Sequence, residues 1–88
     1  MKINRRYFLQ DGTTLSVQAS ESHWCTPKEN AGPYTTAEVH IGRIGTGGGP
    51  PDDWNKFEDA PTYYAYVPVT LIEDLIKDRG GLDLGKTL

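Results

Sequence analysis

An α+β fold is predicted for this chain: a small antiparallel sheet of about four strands with one C-terminal helix packed on it. Three observations predict it. Two β-rich runs flank Asp11-Gly12; two later segments, 34–42 and 62–67, also have the character of strands; and one amphipathic stretch follows Pro68 and stops at Gly80-Gly81. The chain has 88 residues, so the whole of 1–88 is read as one domain, at the small end of what can bury a core.

The first element is a hairpin. Tyr7-Phe8-Leu9-Gln10 and Thr13 to Ala19 surround Asp11-Gly12, a pair suited to a type I′ turn in which both central residues take positive φ. Leu15, Val17 and Ala19 alternate with Thr14, Ser16 and Gln18, so one face of the second strand is buried and the other polar. A third strand follows over 34–42, with Ala37, Val39 and Ile41 on one side and Thr36, Glu38 and His40 on the other. The segment 43–61 holds Gly45, Gly47, Gly48, Gly49, Pro50 and Pro51. It reads as a flexible glycine loop (45–51) leading to a short helical turn, which Asp52 or Asp53 caps and whose Trp54 and Phe57 face the body.

Thr62 to Val67 is rich in β-formers and reads as the fourth strand. Pro68 ends it and suits the first turn of a helix. Thr70 and Glu73 fit a capping box. Leu71, Ile72, Leu75 and Ile76 make an apolar stripe, Lys77 and Arg79 lie at the negative end of the dipole, and Gly80-Gly81 supplies a left-handed stop. The helix is therefore expected from Pro68 to about Arg79, with 82–88 as a tail.

Composition narrows the function classes. A single cysteine cannot form an internal disulfide, and MKINRRYFLQ lacks the apolar run of a secretion signal, so the expected location is the cytoplasm. No stretch approaches the ~20 apolar residues that span a bilayer. Net charge is −3, with five Lys/Arg against four Asp/Glu in 1–43 and four against eight in 44–88. The basic face that duplex DNA asks for is weak here, which disfavours duplex nucleic acid as a partner. The acidic half is either a solvated surface or a mimic of nucleic acid towards a basic protein. Burial and ordering entropy nearly cancel in so small a chain, so a homo-oligomer is expected.

The fourteen residues Ser20 to Pro33 hold the only cysteine, one of two histidines, one of two tryptophans, a lysine, an asparagine and two prolines in one loop. Loops this long inside a small domain commonly bind something. His23, Cys25 and His40 are potential zinc ligands, but a His-x-Cys pair with a distant histidine lacks a defined geometry. Cys25 with His23 or His40 as base and Glu38 as orienter has the form of a nucleophilic set, which one cysteine and two histidines produce by chance. The run Gly42 to Gly49 is not a Walker loop, because no Gly-Lys-Ser/Thr follows; it is a connector or a loop that closes on an anion with Arg43.

No catalytic set, metal or cofactor is therefore expected. What remains is an aromatic and polar cluster: Trp24, Tyr34, Tyr64 and Tyr66 with His23, Lys28, Asn30, His40 and Arg43. Flat rings beside cations and amides suit a nucleotide, since rings stack on bases at ~1–3 kcal/mol each while Lys or Arg meets phosphate. In this reading Trp24 and Tyr34 stack, Lys28 and Arg43 meet phosphate, and His23, Asn30 and His40 read base or ribose edges. Tyr64 and Tyr66 complete the wall or sit at a subunit interface.

Two stretches, Ser20 to Tyr34 with Glu38-Val39 and Tyr64-Ala65-Tyr66-Val67-Pro68-Val69 with its helix and Gly80-Gly81, resemble a family of short, mostly uncharacterised proteins encoded by phages and prophages. The resemblance covers a little under half the chain. This sequence departs from the pattern by its glycine insertion, Gly45 to Pro51. The resemblance implies a phage setting, in which small proteins act as host-takeover or anti-defence factors. The expected function is thus sequestration of a nucleotide-type immune signal without catalysis. The alternatives are an acidic inhibitor of a host defence protein, of CRISPR or nuclease type, and a small Cys/His hydrolase.

Overall fold

The structure, a computed structural model, describes residues 1–86. Its elements in order are β1 (Arg5–Phe8), β2 (Thr14–Gln18), β3 (Thr36–Arg43), a 3₁₀ helix (Asp52–Phe57), β4 (Glu58–Ala60), β5 (Tyr63–Pro68) and α1 (Val69–Asp78). The strands form one antiparallel sheet in the order β1-β2-β3-β5-β4. This is the expected α+β fold, with β4 as an added fifth strand. Glu58-Asp59-Ala60 has no β-forming composition; it pairs through backbone alone with β5 and is exposed throughout. Its outer edge carries two carboxylates, a device that discourages further strand pairing.

Alternation puts Tyr7, Leu15, Val17, Ala37, Val39 and Ile41 on one face of the sheet, where Ile72 and Leu75 of α1 and Trp54 of the 3₁₀ helix close the core. Burying each large apolar side chain contributes about 1.5–3 kcal/mol. Trp54 is 1% exposed and meets the Tyr64 ring edge-on at 5.5 Å. Phe57 packs against the same cluster. The 3₁₀ helix starts after Pro51, and among the described residues no side chain of Asp52 or Asp53 caps it.

The first hairpin closes differently from the type I′ expectation. Of Asp11 and Gly12, only Gly12 takes positive φ, at 94°. The Gly12 amide donates to Leu9 O (3.0 Å) and the Leu9 amide to Thr13 O (2.9 Å), which makes a three-residue loop with glycine at its left-handed position. Asp11 stays out of the left-handed region because both its carboxylate oxygens accept backbone amides, Oδ1 from Thr13 (2.9 Å) and Oδ2 from Gly47 (2.9 Å).

Those bonds also correct the reading of 45–51 as a flexible connector. The Thr46 amide donates to Asp11 O (3.0 Å), the Gly45 amide to Thr13 Oγ1 (3.0 Å), and the Arg79 guanidinium reaches Asp11 Oδ2 (3.5 Å) and the carbonyls of Gly48 and Gly49. The loop is fastened from both ends of the chain. Here glycine is required by space: a Cβ on Gly45 would lie 2.4 Å from Asp11 O, and one on Gly47 would lie 2.6 Å from an Arg79 nitrogen.

Helix α1 begins at Val69, so Pro68 is its N-cap and not its first turn; among the described residues no side chain caps it, and the expected Thr70/Glu73 box is absent. Thr70 already lies inside the helix, two residues past the cap position. The C-terminus follows expectation. Gly80 and Gly81 take φ of 88° and 86°, the Gly81 amide donates to Ile76 O (2.9 Å) and the Gly80 amide to Lys77 O (3.1 Å), the paired bonds of a Schellman stop. Leu82 then bridges Leu9, and the Asp83 amide donates to Phe8 O (2.7 Å), covering the outer edge of β1. Leu84 is exposed; Thr87 and Leu88 of the tail lie outside the described residues.

Candidate functional site

The loop after β2 folds back across the solvent face of β3. Thr26 bridges Thr36, with Thr36 Oγ1 donating to Thr26 Oγ1 (2.9 Å) and the Thr35 amide to Thr26 O (2.8 Å). The Trp24 amide donates to Glu38 Oε2 (3.1 Å), and Trp24 O accepts the Tyr66 amide (3.1 Å). Tyr66 offers that amide because of a bulge in β5. Ala37 faces Val67 and Val39 faces Tyr64, so Glu38 stands opposite both Ala65 and Tyr66, and Tyr66 takes φ of 56°. The bulge points Tyr64 and Val67 into the core and leaves Tyr66 at the surface.

Trp24, Lys28 and Tyr66 meet there. The Trp24 and Tyr66 rings are 6.1 Å apart and tilted by 42°, and the Lys28 ammonium lies 4.0 Å from the Trp24 ring centre. Such a cation over an indole contributes about 0.5–1 kcal/mol at an exposed site. Both rings are more than two-fifths exposed, at 43% and 44%. Two residues beyond Glu38 along β3, His40 lies flat on Tyr63, with ring centres 4.2 Å apart and planes at 15°. The solvent face of the sheet thus carries two aromatic platforms beside one another.

The other expected site residues have different places. Tyr64 belongs to the core, 6% exposed, where burial first and the Glu58 charge second push its hydroxyl above the ordinary value. Tyr64 and Tyr66, expected in one aromatic cluster, are separated by the bulge, which sends Tyr64 to the core and Tyr66 to the surface. Arg43 ends β3, five residues or about 16 Å of strand beyond Glu38, and does not join Trp24. Arg79, not Arg43, is the cation at the glycine loop.

His23, Asn30 and Tyr34 brace the loop itself. His23 Nδ1 and Ser20 Oγ share a hydrogen bond of 2.6 Å, Asn30 Oδ1 accepts the Glu21 amide (3.1 Å), and the Tyr34 hydroxyl donates to Glu29 O (2.8 Å). Loss of solvent around Tyr34, then the nearby Cys25 and Glu29, push its hydroxyl above the ordinary value. Cys25 is buried and its thiol faces Ser20 O (3.2 Å) and Pro27 O (3.3 Å), an arrangement that holds the loop and shields the sulfur. Among the described residues no three His, Cys, Asp or Glu side chains gather as a metal would need, and no helix is long and apolar enough to cross a membrane.

Tyr63 was not among the residues singled out from sequence. The signal for it was available: with Tyr64 inward, its neighbour must face out, in register with His40. A separate hollow of about 350 Å³ opens between β1, α1 and the chain end, lined by residues including Arg5, Tyr7, Ile76 and Leu82. None of the nine expected site residues lines it. No protein-family model, curated protein or solved structure matches this chain.

Proposed function

We propose that this chain is a binding protein without catalysis, which holds a nucleotide-type ligand on the solvent face of its sheet. In the phage setting implied by its loop and strand motifs, the ligand is an immune signal of the infected cell, sequestered in the cytoplasm. The observation that supports this reading is the meeting of Trp24, Lys28 and Tyr66, brought from two segments 38 or more positions apart in the sequence onto one exposed surface. Exposed rings stack on bases, and an ammonium free to leave the indole face meets phosphate. A second copy of the chain, packed over this open face, would enclose the ligand.

Thermal-shift and calorimetric titration with nucleoside monophosphates and cyclic nucleotides test the reading. A nucleotide that raises the melting temperature is expected, with Trp24→Ala and Lys28→Ala each diminishing that shift while their own unliganded melting falls by no more than loss of the cation–ring contact accounts for, about 1 kcal/mol. Recovery of the unmodified nucleotide after heat denaturation distinguishes binding from hydrolysis. The reading fails if no nucleotide shifts the melting temperature.

A second reading rests on a different surface. Asp52, Asp53, Glu58 and Asp59 are exposed together along the 3₁₀ helix and the free edge of β4, which favours docking to a basic protein. Co-purification of a host protein lost on charge reversal of Glu58 and Asp59 would select it.

A further inference from the structure

We infer that the site takes a ligand with two bases joined through phosphate, a dinucleotide and not a mononucleotide; this rests on the nucleotide reading above. The face carries two aromatic platforms, and each is anchored to β3 at its own position. Trp24 is fixed by the hydrogen bond its backbone amide donates to Glu38 Oε2 and pairs with Tyr66; Tyr63 stacks on His40. Glu38 and His40 are successive residues on this face, so their anchors are separated by about 6.6–7 Å of strand.

That separation is about twice the 3.4 Å rise between stacked bases of one strand. Bases on the two platforms are therefore splayed, each lying on a side-chain ring, as in recognition of unstacked single-stranded nucleotides. One base alone would leave the second pair of rings, with Tyr63 44% exposed, in water.

The groups around the platforms fit the rest of such a ligand. Lys28 sits at the Trp24 ring. Arg6 lies in one cross-strand row with Ser16, His40 and Tyr63; it is exposed and its side chain forms no hydrogen bond or ion pair among the described residues. Two cations, one at the Trp24 platform and one in the cross-strand row of the His40–Tyr63 platform, match the charge of a phosphate-linked pair. Glu38, between the platforms, uses Oε2 for the Trp24 amide and keeps acceptor capacity for an exocyclic amino group, which adenine offers.

The test compares AMP, 5′-pApA, cyclic di-AMP and a hexa-adenylate by calorimetry on the full chain. A second base adds a stacking contact within one molecule, so pApA or cyclic di-AMP is expected to bind at least about tenfold more tightly than AMP. Trp24→Ala and Tyr63→Ala, both at exposed positions with melting checked, are each expected to reduce that binding to the AMP level. The arms also separate the sources: preference for the cyclic or the linear dinucleotide identifies which one is held. Equal affinity for AMP and both dinucleotides overturns the two-base inference and leaves the nucleotide reading standing. A dinucleotide advantage that survives both substitutions, or a further tenfold gain with the hexa-adenylate, also overturns it. Binding of none of the four overturns both.

Discussion

Replacing Asp11 with asparagine is expected to destabilise the protein by about 2–4 kcal/mol. The carboxylate accepts the amides of Thr13 and Gly47 at 2.9 Å and stands 3.5 Å from Arg79, with side chains only 10% and 8% exposed. Hydrogen bonds to a charged acceptor contribute about 1.5–3 kcal/mol each. Asparagine keeps one neutral acceptor for Thr13 but turns an NH₂ toward the Gly47 amide and the Arg79 guanidinium, donor against donor. Arg79 retains the Gly48 and Gly49 carbonyls, so the loss falls short of that for a buried charge stripped of every partner. Against a total of about 4–13 kcal/mol for a chain of this size, the change is large, and a melting decrease of roughly 10–25 °C is expected.

The effect carries a pH signature. Burial raises the Asp11 carboxyl, but the hydrogen bonds from Thr13, Gly47 and Arg79 outweigh it and hold it below its ordinary value of 3.8. A depressed carboxyl contributes its stabilisation in full above the unfolded value, and the contribution is lost as pH falls through the lower folded value. Urea titrations of the two proteins are therefore expected to differ at pH 6 and to converge in strong acid. A difference below about 0.5 kcal/mol at pH 6, or one that does not shrink in acid, refutes the role given to this carboxylate.

Four shorter expectations accompany it. Gly47→Ala places a Cβ 2.6 Å from Arg79 Nη1 and 2.8 Å from Asp11 Oδ2, whereas Gly49→Ala meets nothing within 4 Å; urea midpoints are expected to fall by about 1–3 kcal/mol equivalent for the first and to stay near wild type for the second. Trp54→Ala, at a 1% exposed position, is expected to cost about 3–5 kcal/mol by the same measurement. The Cys25 thiol, 2% exposed, is expected to resist a thiol reagent in the native protein and to react on addition of denaturant; rapid native labelling would contradict its enclosed position. Tyr66→Gly relieves a side chain held at φ 56°, and is expected to leave melting within about 1 kcal/mol of wild type while abolishing nucleotide retention.

Much of the fold was legible because its signals are local. Alternation in β2 and β3, the apolar stripe of α1 and the Gly80-Gly81 stop each need only neighbouring residues to be read. The features that escaped depend on distant partners. Asp11 and Arg79 are 68 positions apart, so nothing near Gly45 announces that its loop is pinned. Glu58 to Ala60 becomes a strand only because β5 offers a free edge. Within the site, Trp24 and Lys28 were readable as an unusual aromatic and cationic pair, but their union with Tyr66 turns on a bulge that no propensity at Ala65 or Tyr66 signals. Tyr64 was misplaced, and Tyr63 overlooked, for the same reason.

That bulge has a consequence for how the chain tolerates shortening. Deleting Tyr66 would leave Tyr64 opposite Val39, Ala65 opposite Glu38 and Val67 opposite Ala37, an uninterrupted ladder with every core residue still facing inward. The sheet has no need of this residue to keep its register, and a one-residue-shorter chain is expected to fold into the same topology. Tyr66 is thus an insertion as far as the ladder is concerned, and what its strained position serves is the loop: its amide is the donor that holds Trp24 O against the sheet.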